Sequence, residues 1–262
     1  MKNLNNTKLA IMVFFTMMIN VVNAQIRPAE PLSGKSITKD FITRSLIYPA
    51  NDLDANKSGK VIIRLQVDPD GLGHDYMVKS TFSQAAAAVA LDLVKKIVWS
   101  PATNNGIPMS SETEYAVEFN AKSYNRYWKK HDRPALPLDK EADDNYDVYH
   151  NRQVEEPAHP YFASGSSMAQ YIYENLKFPM EAQEREIQGT VRVSFIVETD
   201  GNVSNVMIVN SVGGGCDNEA VRLIEGTLWI PAIKDDKYVR SQWEQDITFQ
   251  IGQRNYQDGN SY

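Results

Sequence analysis

Laid on itself at an offset of 130 residues, the chain repeats. Pro49 meets Pro179 (179 − 49), Gly59 meets Gly189, and Asp70-Gly71 meets Asp200-Gly201. Met77 and Met207, Ala90 and Ala220, and Phe119 and Phe249 keep the same offset. Trp99-x-Pro101-Ala102 falls on Trp229-x-Pro231-Ala232 without a gap. A spacing held from Pro49 to Phe119 marks a duplicated domain and limits the chain to two copies of one small fold.

The physical pattern repeats with the letters. Val61, Ile63, Leu65 and Val67 alternate with more polar neighbours, as do Val191, Val193, Phe195 and Val197. Both stretches predict half-buried strands of the same phase. Each ends in Asp-Gly, a turn signal, and a second strand follows. A helix comes next: Ala90, Leu93, Val94, Ile97 and Val98 recur at helical spacing, matched by Ala220, Leu223, Ile224, Thr227 and Leu228. Asp217 is the expected N-cap of the second of these helices, and Pro101 and Pro231 stop them. A last strand carries Thr113, Tyr115, Val117 and Phe119 on one face, or Trp243, Gln245, Ile247 and Phe249. A helical segment ending in Tyr48-Pro49 or Phe178-Pro179 precedes the first strand. The prediction is an α+β protein of two tandem α-β-β-α-β domains. Each is a three-stranded antiparallel sheet with two helices on one face and the other face open to solvent.

The expected boundaries are 25–120 and 157–252 for the domains, with a charged, tyrosine-rich linker at 121–156 and a disordered tail at 253–262. At the N-terminus Lys2 and Lys8 precede an apolar run, LAIMVFFTMMINVV, and Asn23-Ala24-Gln25 follows. This order predicts a secretory signal peptide over residues 1–24. The run is shorter than the ~20 residues of a spanning helix, although a retained run would anchor the chain in the inner membrane. The formal net charge of −6 argues against nucleic acid as a partner.

Several motifs carry the identity. The second copy has Phe178-Pro179 after a helix, Gly189-x-Val191 before a strand, and the Asp200-Gly201 turn. It also has Gly213-Gly214-Gly215-Cys216-Asp217 before a helix that Trp229-x-Pro231 closes. In this order they resemble the C-terminal domain of the TonB energy transducers. The first copy is a degenerate version, with Ser83-Gln84-Ala85-Ala86-Ala87 in place of the glycine run. The resemblance spans roughly residues 28–119 and 157–251.

The resemblance implies a binding role in the periplasm. Its partners would be TonB-dependent outer-membrane transporters, whose short extended segment pairs with an exposed sheet edge. The last strand, Gln242 to Gln250, is the candidate edge. Its partner-binding residues would be Gln242, Glu244, Gln245, Asp246, Ile247, Thr248 and Phe249, with Phe178 close by. Gln242, Glu244, Asp246, Thr248 and Gln250 form its polar outer face, and proline at Ile247 is expected to remove a ladder donor from the edge. A transducer of this family would carry a retained membrane helix and a long proline-rich spacer. Here Gln25 to Lys35 leads almost directly into the first domain, which favours a soluble adaptor or competitor over a short transducer. A reading of another class is a structural envelope module that self-associates, for instance as a homodimer, through sheet edges.

Enzymatic readings are weaker. Cys216 is the single cysteine, and three of the four histidines, His131, His150 and His159, lie in or beside the linker. A nucleophile needs a fixed base, so a buried structural thiol is the better reading. The glycine run lacks the lysine of a phosphate loop and is expected instead to make a tight turn with positive φ. No ligand spacing for a metal and no cofactor motif is present.

Overall fold

The computed structural model describes residues 25–131, 135–162 and 165–251. The segments read as a signal peptide (1–24) and as a disordered tail (253–262) lie outside the described residues.

The first domain runs α1 (Lys35–Ser45), α2 (Ala50–Asp54), β1 (Gly59–Val67), β2 (Gly73–Ser80), α3 (Gln84–Lys95) and β3 (Ser111–Phe119). Helix α4 (Ala121–Lys130) and a two-residue strand, β4 (Val148–Tyr149), lie between the copies. The second domain runs α5 (Met168–Asn175), α6 (Met180–Glu184), β5 (Gly189–Val197), β6 (Val203–Asn210), α7 (Cys216–Glu225) and β7 (Lys237–Phe249). Short strands flank these principal elements.

Both sheets have the same order, β2-β1-β3 and β6-β5-β7, and these pairs are antiparallel. The offset extends to the hydrogen-bond register. Gly59 pairs with Phe119 and Val67 with Ser111; Gly189 pairs with Phe249 and Val197 with Ser241. The chain is therefore α+β, two tandem copies of one unit. It differs in detail from the expectation: each copy adds a short helix after its Tyr/Phe-Pro.

The alternating residues build the cores. Val61, Ile63, Leu65 and Val67 face α3 on one side of the first sheet, and Val191, Val193, Phe195 and Val197 are the buried set of the second. Trp99 and Trp229 are buried where each helix ends. The Asp-Gly turns touch these tryptophans. Gly71 and Gly201 have φ of 85° and 79°, and a Cβ at either would lie 2.3 or 2.4 Å from the carbonyl oxygen of Trp99 or Trp229. Glycine is required there by both conformation and space.

The outer face of the second sheet is only partly open to solvent: Arg192, Glu244, Asp246 and Thr248 are exposed, but its other half is covered. Ser194, Ile196 and Glu198 are buried, although they alternate with the core residues. The first domain covers part of this region. Ile37 of α1 packs against the second core, and α1 lies beside β6. The Asn205 side chain accepts from Val98 N–H (2.8 Å) and donates to the Lys96 carbonyl (2.9 Å). A pattern read within one repeat does not reveal a neighbour supplied by the other.

Arg240 closes this junction. Its Nε and Nη2 donate to Glu198 at 2.8 and 2.9 Å. Nη2 also reaches the Lys96 carbonyl (2.8 Å), and Nη1 reaches the Tyr146 carbonyl (2.6 Å). Arg240 is 4% exposed and Glu198 0%. The equivalent positions of the first domain hold Ser110 and Asp68, joined by one bond of 3.2 Å, so the repeat alone does not build this pair.

The region read as a linker contains regular structure. Asn120 caps α4 by accepting from Ser123 N–H (2.9 Å). Tyr124, Tyr127 and Trp128 recur at i, i+3 and i+4, and Tyr124 packs on Tyr48 with ring centres 5.2 Å apart. That spacing is a helical signal, diluted by the lysines around it.

Truncating Arg240→Ala leaves the Glu198 carboxylate buried and unpaired, which costs ~3–5 kcal/mol. Urea titration should show that loss, whereas Arg240→Met combined with Glu198→Leu should recover most of it. Equal losses in both variants would contradict a charge-pair junction.

Candidate functional site

The candidate edge is the outer side of β7, away from β5. In an antiparallel strand successive residues turn their N–H and C=O to opposite edges. Tyr238 turns both outward: its N–H donates to the Glu141 carbonyl and its own carbonyl accepts from Asp143 N–H, each at 2.8 Å. Continuing the alternation, Gln242, Glu244, Asp246 and Thr248 point their backbone groups outward, while Trp243, Gln245, Ile247 and Phe249 point theirs to β5. Two contacts agree with this phase. Thr190, opposite Thr248, gives its carbonyl to Asn210 Nδ2 (2.6 Å) on the β6 side. The Asp246 carbonyl accepts from the Gln245 side chain (2.8 Å).

The predicted residues divide into two sets. Glu244, Asp246 and Thr248 have exposed side chains and outward backbone groups; Gln242 shares that phase but is half-buried. Asp246 holds Arg192 in a bidentate pair at 2.7 and 2.9 Å, which depresses the Asp246 pKa, and Thr248 shares a hydroxyl bond with Thr190 (2.9 Å). Gln245 is half-buried on the core side. Ile247 and Phe249 are wholly buried, and Phe178 is buried against Phe249 with ring centres 5.9 Å apart. These three side chains line the core and support the strand from beneath.

This phase corrects one expectation. The Ile247 amide belongs to the ladder with β5, so proline there disrupts the folded sheet rather than the free edge. Period-two reading gives the side-chain face, but it does not say which edge an amide points to.

The outer edge is also partly occupied. The Val148–Tyr149 strand pairs in parallel with Arg240 and Ser241, and the turn Asn151–Gln153 sits beside Gln242–Glu244 across a groove of about 710 Å³. Beyond Glu244, no strand pairs with this side of β7 among the described residues.

The glycine-cysteine motif is structural. Gly213, Gly214 and Gly215 have φ of 80°, 59° and 86°, and a Cβ on Gly214 would meet Ile187 at 2.8 Å. The three residues turn the chain from β6 into α7. Gly215, not Asp217, occupies the N-cap position. Asp217 lies one residue inside the helix and its carboxylate accepts from Ser211 Oγ (2.5 Å) and Val212 N–H (3.0 Å), tying down the loop. Ser83 caps the equivalent helix of the first copy, accepting from Ala86 N–H at 3.0 Å. Cys216 is buried, and burial together with the Asp217 charge pushes its thiol pKa up. Among the described residues no group of three or more His, Cys, Asp or Glu side chains is placed to hold a metal.

The family described as Gram-negative bacterial TonB protein C-terminal matches residues 44–121 and again residues 174–251. The chain belongs to the TonB C-terminal family. The two matches are displaced by the offset of the internal repeat and together cover more than half of the chain. No curated protein matches it. TonB C-terminal domains are interaction modules of energy-coupled transport rather than enzymes, and they face the periplasm. Both copies lie within that family, including the first, which lacks the glycine run. No described helix is long and apolar enough to cross a membrane.

A buried thiol with a raised pKa reacts slowly. Ellman's reagent should detect no thiol in the native protein at neutral pH and one per chain in denaturant. Rapid native reaction would contradict the structural assignment of Cys216.

Proposed function

We propose that the second TonB domain binds an extended segment of a TonB-dependent outer-membrane transporter by strand addition along the outer edge of β7. The observation that carries this reading is the row of outward backbone groups at Asp246 and Thr248, on an edge strand whose core face is anchored by Ile247 and Phe249. Such an edge offers donors and acceptors at fixed spacing to any extended chain. Each added ladder bond contributes ~1 kcal/mol, whereas micromolar affinity requires ~8 kcal/mol. Side chains must therefore add to the affinity, and Glu244, Asp246 and Thr248 are placed to meet those of the segment. Such a segment covers the strand without a pocket, a cofactor or a covalent step. An exported chain freed of residues 1–24 would act as a soluble adaptor or competitor; a chain retaining them would act as a short transducer.

A second reading is self-association through sheet edges. One observation favours it: among the described residues no strand pairs with the outer side of β3 (Ser111–Phe119), so the first domain offers a longer open edge.

Asp246→Pro tests the first reading, because it removes an outward donor while leaving the ladder to β5 intact. The Asp246–Arg192 pair is exposed, so its loss costs at most ~1 kcal/mol. Full-chain protein should bind peptides from a transporter plug domain, and Asp246→Pro should weaken that binding by ~10-fold or more while the protein still melts cooperatively. Ile247→Pro should instead lower the melting temperature sharply. Unchanged affinity in folded Asp246→Pro would mean that the edge lies elsewhere.

A further inference from the structure

The outer edge of β7 already holds a strand from its own chain. Residues 138–153 run along its first half. Glu141 and Asp143 bond both backbone groups of Tyr238. Val148 and Tyr149 then form a parallel ladder with Arg240 and Ser241. At Asn151–Gln153 the segment turns away, and β7 continues to Phe249 with its outer side open among the described residues. The chain thus performs on itself, over half of the strand, the kind of pairing proposed above for a partner.

The hold is short and mostly polar. The parallel ladder is two residues long, and Val148 and Tyr149 are only half-buried. Lys140 pairs with Asp236, whose side chain is largely exposed. Asp139 accepts from the Tyr238 hydroxyl (2.9 Å). Tyr146 is the main fastening. Its carbonyl accepts from Arg240, its hydroxyl donates to Asp92 of the first domain (2.9 Å), and the Lys95 ammonium lies 5.2 Å from its ring centre. Between these points Asp144, Asn145 and Asp147 are exposed. A permanent inner strand such as β5 is buried over most of its length, whereas no residue of 138–153 is buried.

We infer that residues 138–153 are a built-in competitor for the second domain's edge, an intramolecular strand that an incoming extended segment displaces. The partner first meets the open half, Asp246 to Gln250, and full pairing requires the turn at 151–153 and then Val148–Tyr149 to peel away. Displacement also breaks the Tyr146–Asp92 bond, so occupancy of the second domain's edge is felt by the first domain. The inference rests on the reading of that edge as a strand acceptor.

A labelled synthetic peptide of residues 138–153, added to the full chain, tests it. Wild-type protein should bind the peptide weakly, because its own copy fills the site. The full-chain Tyr149→Pro variant, whose own strand is released, should bind it ~10-fold or more tightly than wild type, since apparent affinity scales with the fraction of open sites. Equal affinity in both proteins, or no binding by the variant, overturns the inference. Amide exchange in the unaltered protein is a second arm that does not depend on the variant folding. The Asp143 and Tyr149 amides should exchange ~100-fold or more faster than those of β5, through local opening. Exchange as slow as that of β5 would make the segment a fixed strand and overturn the inference. Neither arm uses a transporter peptide, so failure of the transporter reading leaves both interpretable.

Discussion

The buried pair of Arg240 and Glu198 joins the parts of this molecule. Taking two charges out of water costs several kcal/mol per ion, and geometry must offset it. Here a bidentate contact does part of that, and two backbone carbonyls, of Lys96 and Tyr146, take further guanidinium protons. The Ser204 hydroxyl donates to Glu198. One carbonyl belongs to the first domain and the other to the intervening segment. A single side chain of β7 thereby touches both the first domain and the intervening segment. The first copy has Ser110 at the matching position and cannot do this.

That arrangement gives the two copies different surroundings. The second copy is the more enclosed: its β6 edge lies against the first domain and half of its β7 edge lies against the chain's own segment. The first copy keeps the outer side of its last strand unpaired among the described residues. The copy with the sharper family motifs is therefore the one whose last strand is partly covered. An unguarded edge is a hazard for aggregation, and polar outward side chains together with a short covering strand reduce it.

Much of the fold was legible because duplication doubles every local signal. The alternation Val61-Ile63-Leu65-Val67 was ambiguous alone, but its repetition at Val191-Val193-Phe195-Val197 settled strand and phase, while the register came only with the structure. The glycine run was legible as a turn because three consecutive positive φ angles leave few alternatives. What escaped was whatever depends on contact between the copies. Glu198 and Ile196 look like outward residues of a strand, yet both are buried, Glu198 beneath the Arg240 that also bonds the Lys96 carbonyl of the first domain. Helix α4 escaped because its aromatic stripe is set among lysines. In the candidate edge, the side-chain faces of Glu244, Asp246, Ile247 and Phe249 were legible from period two. The direction of each amide and the parallel strand at Val148–Tyr149 were not, since both follow from pairing partners distant in sequence.

Amide hydrogen exchange along β7 tests the central claim most directly. In the free protein the outward amides of Asp246 and Thr248 should exchange fast, while those of Gln245 and Ile247, bonded to β5, exchange slowly. A saturating transporter plug-domain peptide should slow Asp246 and Thr248 and leave the other two unchanged. Binding that protects another strand while Asp246 and Thr248 stay fast would contradict the account.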